Sequence, residues 1–117
     1  MVKKSLQTPC CFGVRLRQAR ERAGLAQDKL GVLIGLDEGC SSARISRYET
    51  GVHEPPFETA RKLAQVLGVS VTYFYCEDDW LADLVLRLAV LTPAQRVELA
   101  AWLDLRCGEI QPGVLRR

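Results

Sequence analysis

Between Gly24 and Gly51, two short amphipathic segments flank a polar turn that contains a glycine. In the first segment, Leu30 and Ile34 fall on one helical stripe, a spacing that predicts a helix with one apolar face. Gly35 stands where a helix end often needs a residue with positive φ. The chain is therefore expected to contain a short helix here that is closed by a glycine.

The second segment is predicted to be a helix over Ser42–Thr50, preceded by a turn over Asp37–Ser41. Ser41 or Ser42 can cap it by accepting a hydrogen bond from a first-turn amide. Ile45 and Tyr48 lie one helical turn apart and are expected to point inward. Two helices joined by such a turn form a helix-turn-helix, a motif that places its second helix in the major groove of DNA.

The outward side of this second helix combines small side chains with arginines. Small side chains let a helix approach base edges closely, and Arg44 in the expected first turn can bind guanine O6 and N7 bidentately. Arg47, one turn later, is expected to hold a phosphate. The alternative is that both arginines merely form a solvated face. The predicted DNA-binding residues are Gln27, Ser41, Ser42, Ala43, Arg44, Ser46 and Arg47.

The chain resembles the Cro/phage-repressor helix-turn-helix family, often called XRE-like regulators, over roughly residues 12–76. The resemblance is carried by Gln27, by the run Ile45–Gly51, and by Leu63-Ala64 followed by Leu67–Ser70. It implies a compact five-helix DNA-binding domain that acts in transcription regulation.

The resemblance also implies roles for individual residues. Gln27 would touch a phosphate or a base edge, and Ser42, Ala43 and Arg44 would read bases. Ser46 and Arg47 would support contact with the DNA backbone. Arg20 and Glu49 match a family pair that links the first helix to the recognition helix.

Three features depart from the family pattern. The turn before the recognition helix, at Leu36–Cys40, is longer than usual. Gly31 replaces the usual alanine, and Ala26 replaces the Thr or Ser that usually caps the second helix. The last two predict a less stable second helix, because Gly costs about 1 kcal/mol relative to Ala.

The fold class expected from the whole chain is all-α, with a two-helix extension after the DNA-binding domain. The domain limits are predicted as an arm at 1–11, the DNA-binding domain at 12–76, the extension at 77–108 and a tail at 109–117. Residues 1–76 carry eleven Lys/Arg against seven Asp/Glu (+4), and residues 77–117 carry five against seven (−2). A basic front half fits a DNA-facing domain.

Apolar side chains are expected to form the core of the DNA-binding domain. They recur at helical spacing in each predicted helix, which indicates that each helix buries one face. The principal expected core residues are Phe12, Leu16, Leu30, Leu33, Ile45, Tyr48, Phe57, Leu63, Phe74 and Tyr75.

The extension is predicted to form two helices with wide apolar faces. Thr92-Pro93-Ala94-Gln95 has the form of a capping box and marks the start of the second helix. Such faces need a partner. The extension could fold back on its own core, but dimerisation is favoured, since two recognition helices related by a two-fold axis read a palindrome. The expected dimerisation residues are Leu84, Leu88, Leu99, Trp102 and Leu103.

The five cysteines form neither a disulfide framework nor a zinc motif, and no metal or cofactor is expected. An alternative hypothesis is that Cys40, beside the recognition helix, senses redox conditions. With one histidine and no convincing nucleophile–base pair, enzymatic activity is not expected. No stretch reads as a signal peptide or a membrane span, so a cytoplasmic protein is expected.

The sequence therefore predicts a dimeric, sequence-specific DNA-binding transcriptional regulator, a repressor that reads a palindromic operator in double-stranded DNA. The alternative is an antitoxin or adaptor whose C-terminal helices bind a protein partner. A co-purifying protein would separate the two.

Overall fold

A computed structural model describes residues 11–108 and shows an all-α chain. The predicted arm, apart from Cys11, and the predicted tail lie outside this range. Within it, the secondary structure consists of helices and turns, which confirms the all-α class. The elements are α1 (Cys11–Arg22), α2 (Gln27–Leu33), α3 (Glu38–Thr50), α4 (Phe57–Leu67), a 3-10 helix (Val71–Tyr75), α5 (Asp79–Leu88) and α6 (Pro93–Cys107).

The described chain divides into two compact units, residues 11–86 and residues 87–108. The sequence places the boundary earlier, after Cys76. The difference arises because most of α5 packs with the first unit: Ala82 is buried in its core, and Val85 and Leu86 pack against that core. The function of the C-terminal helices stays a prediction.

The core of the first unit is built from the inward faces of α1, α2, α3, α4 and the 3-10 helix. Phe12 on α1 and Phe74 on the 3-10 helix have ring centroids 4.8 Å apart, which is within the range of favourable aromatic contacts. The largest fully buried hydrophobic side chains are Phe12, Leu16, Leu30, Ile45, Leu63, Tyr73 and Phe74.

Three predicted core residues are instead largely exposed: Leu33, Phe57 and Tyr75. Each lies at the end of its element, since Leu33 ends α2, Phe57 begins α4 and Tyr75 ends the 3-10 helix. A side chain at a helix end can project past the layer beneath it even when its spacing matches the apolar stripe.

Helix α3, which contains the predicted recognition helix, begins at Glu38, one turn earlier than predicted. Asp37 occupies the N-cap position without a side-chain cap bond, so the caps expected from Ser41 or Ser42 are wrong. The residues read as a long turn form the first turn of the helix. Gly35 has φ of 100° and closes α2, as predicted.

The start of α6 follows the predicted capping box. The Thr92 hydroxyl accepts a hydrogen bond from the Gln95 amide at 3.1 Å, and the Gln95 side chain accepts one from the Thr92 amide at 2.9 Å. Pro93 stands at the first helical position. Across residues 11–108, no helix combines the length and apolar character that a membrane crossing requires.

Candidate nucleic-acid interface

Helices α2 and α3 cross at very close range through Gly31 and Ser41. A Cβ on Gly31 would overlap the Ser41 side chain. The Ser41 hydroxyl donates to the Asp28 carbonyl at 2.5 Å, which satisfies it inside the protein. The glycine at position 31, a departure from the family pattern, therefore allows this crossing.

The predicted DNA-binding role of Ser41 is wrong. Its side chain is fully buried between the two helices, so it has no surface to offer a base or phosphate. Its role is to join α2 to α3. The early start of α3 explains the error, because it places Ser41 on the inward face of the helix rather than at its tip.

Helix α1 crosses the C-terminal half of α3 in a similar way. A Cβ on Gly13 would overlap the main-chain carbonyls of Tyr48 and Glu49. Backbone atoms cannot swing aside as a flexible side chain can. The absence of a side chain at position 13 thus sets how closely α1 lies against α3.

A polar network connects α1, α2 and α3. Arg20 donates to both carboxylate oxygens of Glu49, at 2.5 and 3.2 Å, and to the Leu25 carbonyl at 2.9 Å. This is the pair that the family resemblance implied. The pKa of Arg20 is raised, chiefly by its hydrogen bond with Glu49, so the guanidinium remains charged.

Gln27 extends this network to the outer side of α3. Its amide nitrogen donates to Glu49 Oε1 at 3.0 Å, and its amide oxygen accepts from the Ser42 hydroxyl at 3.4 Å. Gln27 is half-buried at the first position of α2. One residue thus contacts both the buried ion pair and the exposed face predicted to meet DNA.

Apart from Glu38 at its first residue, the exposed face of α3 carries small side chains over its first two turns. Gly39, Cys40, Ser42 and Ala43 are all exposed, and none carries a side chain larger than a cysteine. Gly39 and Cys40 are not among the predicted DNA-binding residues, because the prediction assigns them to a turn. The signal was available, since Asp at an N-cap followed by Glu in the first turn is a common helix start.

The two arginines of α3 occupy different environments. Arg47 is exposed on the same side as Ala43, one turn further along the helix. Arg44 is half-buried and lies in the second turn, not in the first as predicted. Ser46, also half-buried, lies beside Arg47. The helix therefore presents small side chains at its tip and positive charge further along.

The predicted dimerisation residues lie on both C-terminal helices. Leu84 is half-buried on α5 in the first unit. In the second unit, an open groove of about 570 Å³ is lined by apolar side chains with Arg87, Gln95 and Glu98 at its edges. Leu103 is exposed on α6. The apolar lining consists of Leu88, Leu91, Leu99 and Trp102.

The cysteines Cys40, Cys76 and Cys107 carry free thiols. Cys40 is exposed on the first turn of α3, and its sulfur lies 3.6 Å from the Asp37 carbonyl oxygen. Within residues 11–108, His, Cys, Asp and Glu side chains do not gather into groups of three that could hold a metal ion.

Comparisons with known proteins agree with this geometry. The helix-turn-helix domain family matches residues 12–72, more than half of the chain. Over 62 residues, the chain is 32% identical to the SPbeta prophage-derived uncharacterized HTH-type transcriptional regulator YonR of Bacillus subtilis (strain 168). That match covers 53% of the chain and 54% of the relative, so the chain spans about half the length of this curated protein.

A solved structure resembles a larger part of the chain. The crystal structure of the transcriptional regulator BswR superposes with a TM-score of 0.77 at 42% sequence identity. The match covers 83% of this chain and 98% of that one. The sequence family and the three-dimensional arrangement of α1 to α4 lead to the same conclusion: the chain belongs to the helix-turn-helix domain family.

Proposed function

We propose that the chain is a transcriptional repressor that binds a palindromic operator as a homodimer, with α3 of each protomer in the major groove. The observation that carries this proposal is the exposed face of α3, which has small side chains from Gly39 to Ala43 and Arg47 one turn further along. A helix with small side chains at its tip can bring its backbone close to base edges.

The buried contacts behind α3 support a role in recognition. Two close helix crossings, at Gly31 and Gly13, and the Arg20–Glu49 ion pair hold the helix from the protein side. Base readout by hydrogen bonds depends on position, and a fixed helix limits the entropy lost on binding. These contacts would therefore hold α3 in one orientation before it binds DNA.

The residues on this face have separable roles in the proposal. Ser42 and Ala43 contact base edges near the helix tip, and Arg47 binds a phosphate. Arg44 reads a base from the flank of the helix. Gln27 contacts the DNA backbone beside Ser42, with its orientation set by Glu49.

The names of two similar proteins support regulation of transcription. YonR is described as an HTH-type transcriptional regulator and BswR as a transcriptional regulator. The proposal extends that activity to this chain. Repression is the simplest activity for such a protein, because binding of α3 to DNA within a promoter is enough to block that promoter.

Dimerisation would supply the second recognition helix that a palindrome requires. A single helix contacts only a few base pairs, whereas two related by a two-fold axis span half-sites about 34 Å apart. Residues 93–107 bury no side chain in the described chain, which leaves the apolar lining of the groove available to a second copy.

Fluorescence anisotropy with DNA from upstream of the chain's own gene tests the proposal, with shuffled DNA as the control and two salt concentrations. We expect tight, selective binding with a steep salt dependence, because phosphate contacts release counterions. Transcription from that promoter in vitro should fall as the protein is added. Equal, weak binding to both duplexes would contradict operator recognition at this site.

A pair of arginine variants tests the assigned roles. Arg44→Ala should cost about 1–3 kcal/mol on the specific site and relax the preference for one base. Arg47→Ala should weaken binding to all duplexes and reduce the salt slope by about one. If Arg44→Ala weakened all duplexes equally, Arg44 would be a phosphate contact instead.

A second candidate function is an antitoxin or adaptor that binds a protein through α6. It is favoured by the exposure of apolar side chains around this helix, including Val97, Trp102 and Leu105. A purified chain that is monomeric and recovers a stoichiometric partner through these residues would support it. A dimer that binds DNA selectively in isolation would support the repressor.

A further inference from the structure

Arg15 makes a set of contacts that the DNA-binding face does not use. Arg15 lies on α1, and its side chain is only 5% exposed. All three guanidinium nitrogens have partners, and the guanidinium carbon lies 6.0 Å from the centre of the Tyr73 ring. A charged group is buried here and held in one orientation.

Three of these partners lie at the junction that leads into α5. Arg15 donates from Nε to the Cys76 carbonyl at 2.8 Å and from Nη2 to the Glu77 carbonyl at 3.2 Å. The same Nη2 lies 3.0 Å from the Asp79 carboxylate, on the first residue of α5. The planar fork of the guanidinium thus fixes the path by which the chain enters α5.

The remaining contacts fix the fork itself. Gln18, one turn along α1, accepts from Arg15 Nη1 at 3.1 Å and from the Tyr73 hydroxyl at 3.1 Å. Ala82 is buried in the core below, so α5 is anchored at its start and at its middle. Burying a charge is costly, and a well-packed apolar side chain often gives similar or greater stability. Beyond stability, the guanidinium fixes the direction in which the chain enters α5.

We propose that Arg15 is a positioning residue for operator recognition, which sets the direction of α5 and thereby the half-site spacing that the dimer accepts. This inference rests on the proposed function, since it requires a dimer whose interface includes Leu84 on α5, in the same compact unit as α3. The same α1 that carries Arg15 also packs against α3 through Gly13. Arg15 therefore connects the helix that contacts DNA to the helix that begins the dimer face.

The test uses the full-length chain and an operator selected from random duplexes by the wild-type protein. Affinity is measured on that operator and on versions whose central spacer is one or two base pairs longer or shorter. One base pair rotates the second half-site by about 35°, so a rigid dimer has a sharp optimum. Arg15→Lys keeps the charge but removes the fork, and Arg17→Lys is the matched control on the exposed side of α1.

For Arg15→Lys, we expect the preference for the wild-type spacing to shrink by about fivefold or more, in the range of measured coupling energies between contacting groups. The dimer mass and the affinity for a single half-site should be unchanged, and Arg17→Lys should keep the wild-type profile. A purely structural role would lower thermal stability without altering the spacing profile. An unchanged profile for Arg15→Lys would therefore overturn the proposal.

If Arg15→Lys does not fold, Asp79→Ala takes its place, because that carboxylate is 94% exposed and its loss leaves the core intact. We again expect a weaker preference for the wild-type spacing, because Asp79 is the residue of α5 that Arg15 contacts directly. An unchanged profile again overturns the role of Arg15. A wild-type protein that is monomeric, or that has no spacing optimum, would instead refute the dimeric operator reader itself. The two failures are thus distinguishable.

Discussion

Helices α3 and α6 have similar lengths, 13 and 15 residues, but opposite surroundings. α3 has no side-chain N-cap, yet it buries four residues and is held by α1 and α2. α6 has a complete capping box and a proline at its first position, yet none of its residues is buried in the described chain. The helix with the weaker local signals has the stronger tertiary support.

The difference shows that the start of a helix and the burial of its apolar face depend on separate features of the sequence. Capping residues determine where a helix begins, and each is worth about 1 kcal/mol. Burial determines whether other residues of the same chain already cover the apolar face of that helix. The α1–α4 region buries its apolar faces within the described chain, whereas α6 has no buried residue there.

The largest expected effect separates the two regions by stability. Leu30→Ala removes a fully buried side chain beneath α3 and should cost about 2–5 kcal/mol, because it leaves a cavity. Leu105→Ala on α6, where the side chain is 84% exposed, should change stability by less than about 0.5 kcal/mol. Urea unfolding at low protein concentration measures both, and equal losses would contradict the comparison.

The next effect concerns self-association. Trp102→Glu places a charge in the apolar lining of the groove and should weaken the proposed dimer by about 2 kcal/mol or more, about 30-fold. The monomer's unfolding free energy should remain unchanged, since Trp102 is half exposed. Sedimentation equilibrium across a concentration series measures the dissociation constant.

Val97→Glu is the control for this experiment, because Val97 lies on the opposite side of α6 from the groove. It should leave the dissociation constant close to the wild-type value. If Val97→Glu dissociates the protein and Trp102→Glu does not, the dimer forms through the other face of α6. An unchanged mass for Trp102→Glu alone would refute the assigned interface.

A smaller effect is expected from the ion pair behind the recognition helix. Glu49→Gln leaves the Arg20 guanidinium without its carboxylate and should cost about 1–3 kcal/mol, since both groups are largely buried. Glu21→Gln is the matched control, because its ion pair with Arg17 is exposed and should contribute less than about 1 kcal/mol. Thermal unfolding compares the two, and similar losses would show that burial of the pair adds nothing.

The contribution of Arg20 should not depend on pH in the neutral range. The pKa of Arg20 is raised in the folded state, chiefly by Glu49. A raised folded pKa means that this stabilisation is fully present below the ordinary pKa of a guanidinium. It is lost only as the pH rises through the higher folded value. The Glu49→Gln difference should therefore be the same in mildly acidic and mildly alkaline buffer, as far as Arg20 is concerned.

Much of the fold could be predicted from the sequence because apolar spacing and glycine positions act locally. The helices around Leu16, Ile45 and Leu63 follow from their spacing, and the end of α2 follows from Gly35. The start of α3 could not be chosen from local signals alone, because Asp37, Ser41 and Ser42 are all good capping residues. The competing start at Glu38 is favoured by a tertiary contact, the packing of Ser41 on Gly31.

Arg15 shows the other limit of sequence analysis. Its partners at Cys76, Glu77 and Asp79 lie more than 60 residues away along the chain. Three of its hydrogen bonds or ion-pair contacts go to a segment whose position depends on the whole fold. Spacing on α1 alone therefore cannot distinguish a buried arginine from a solvated one.

The smallest effect is expected from adding a side-chain N-cap to α2, which packs directly against α3. Ala26 holds the N-cap of α2 in an extended conformation, with φ of −78° and ψ of 161°, and makes no side-chain bond. Ala26→Ser should supply an acceptor for a first-turn amide and raise the unfolding free energy by about 1 kcal/mol. Ala100→Ser, in the interior of α6, gains no cap and should be neutral or slightly destabilising. If thermal unfolding showed no gain for Ala26→Ser, the first-turn amides of α2 would already be satisfied by water, and tertiary packing alone would account for the stability of the region that carries the recognition helix.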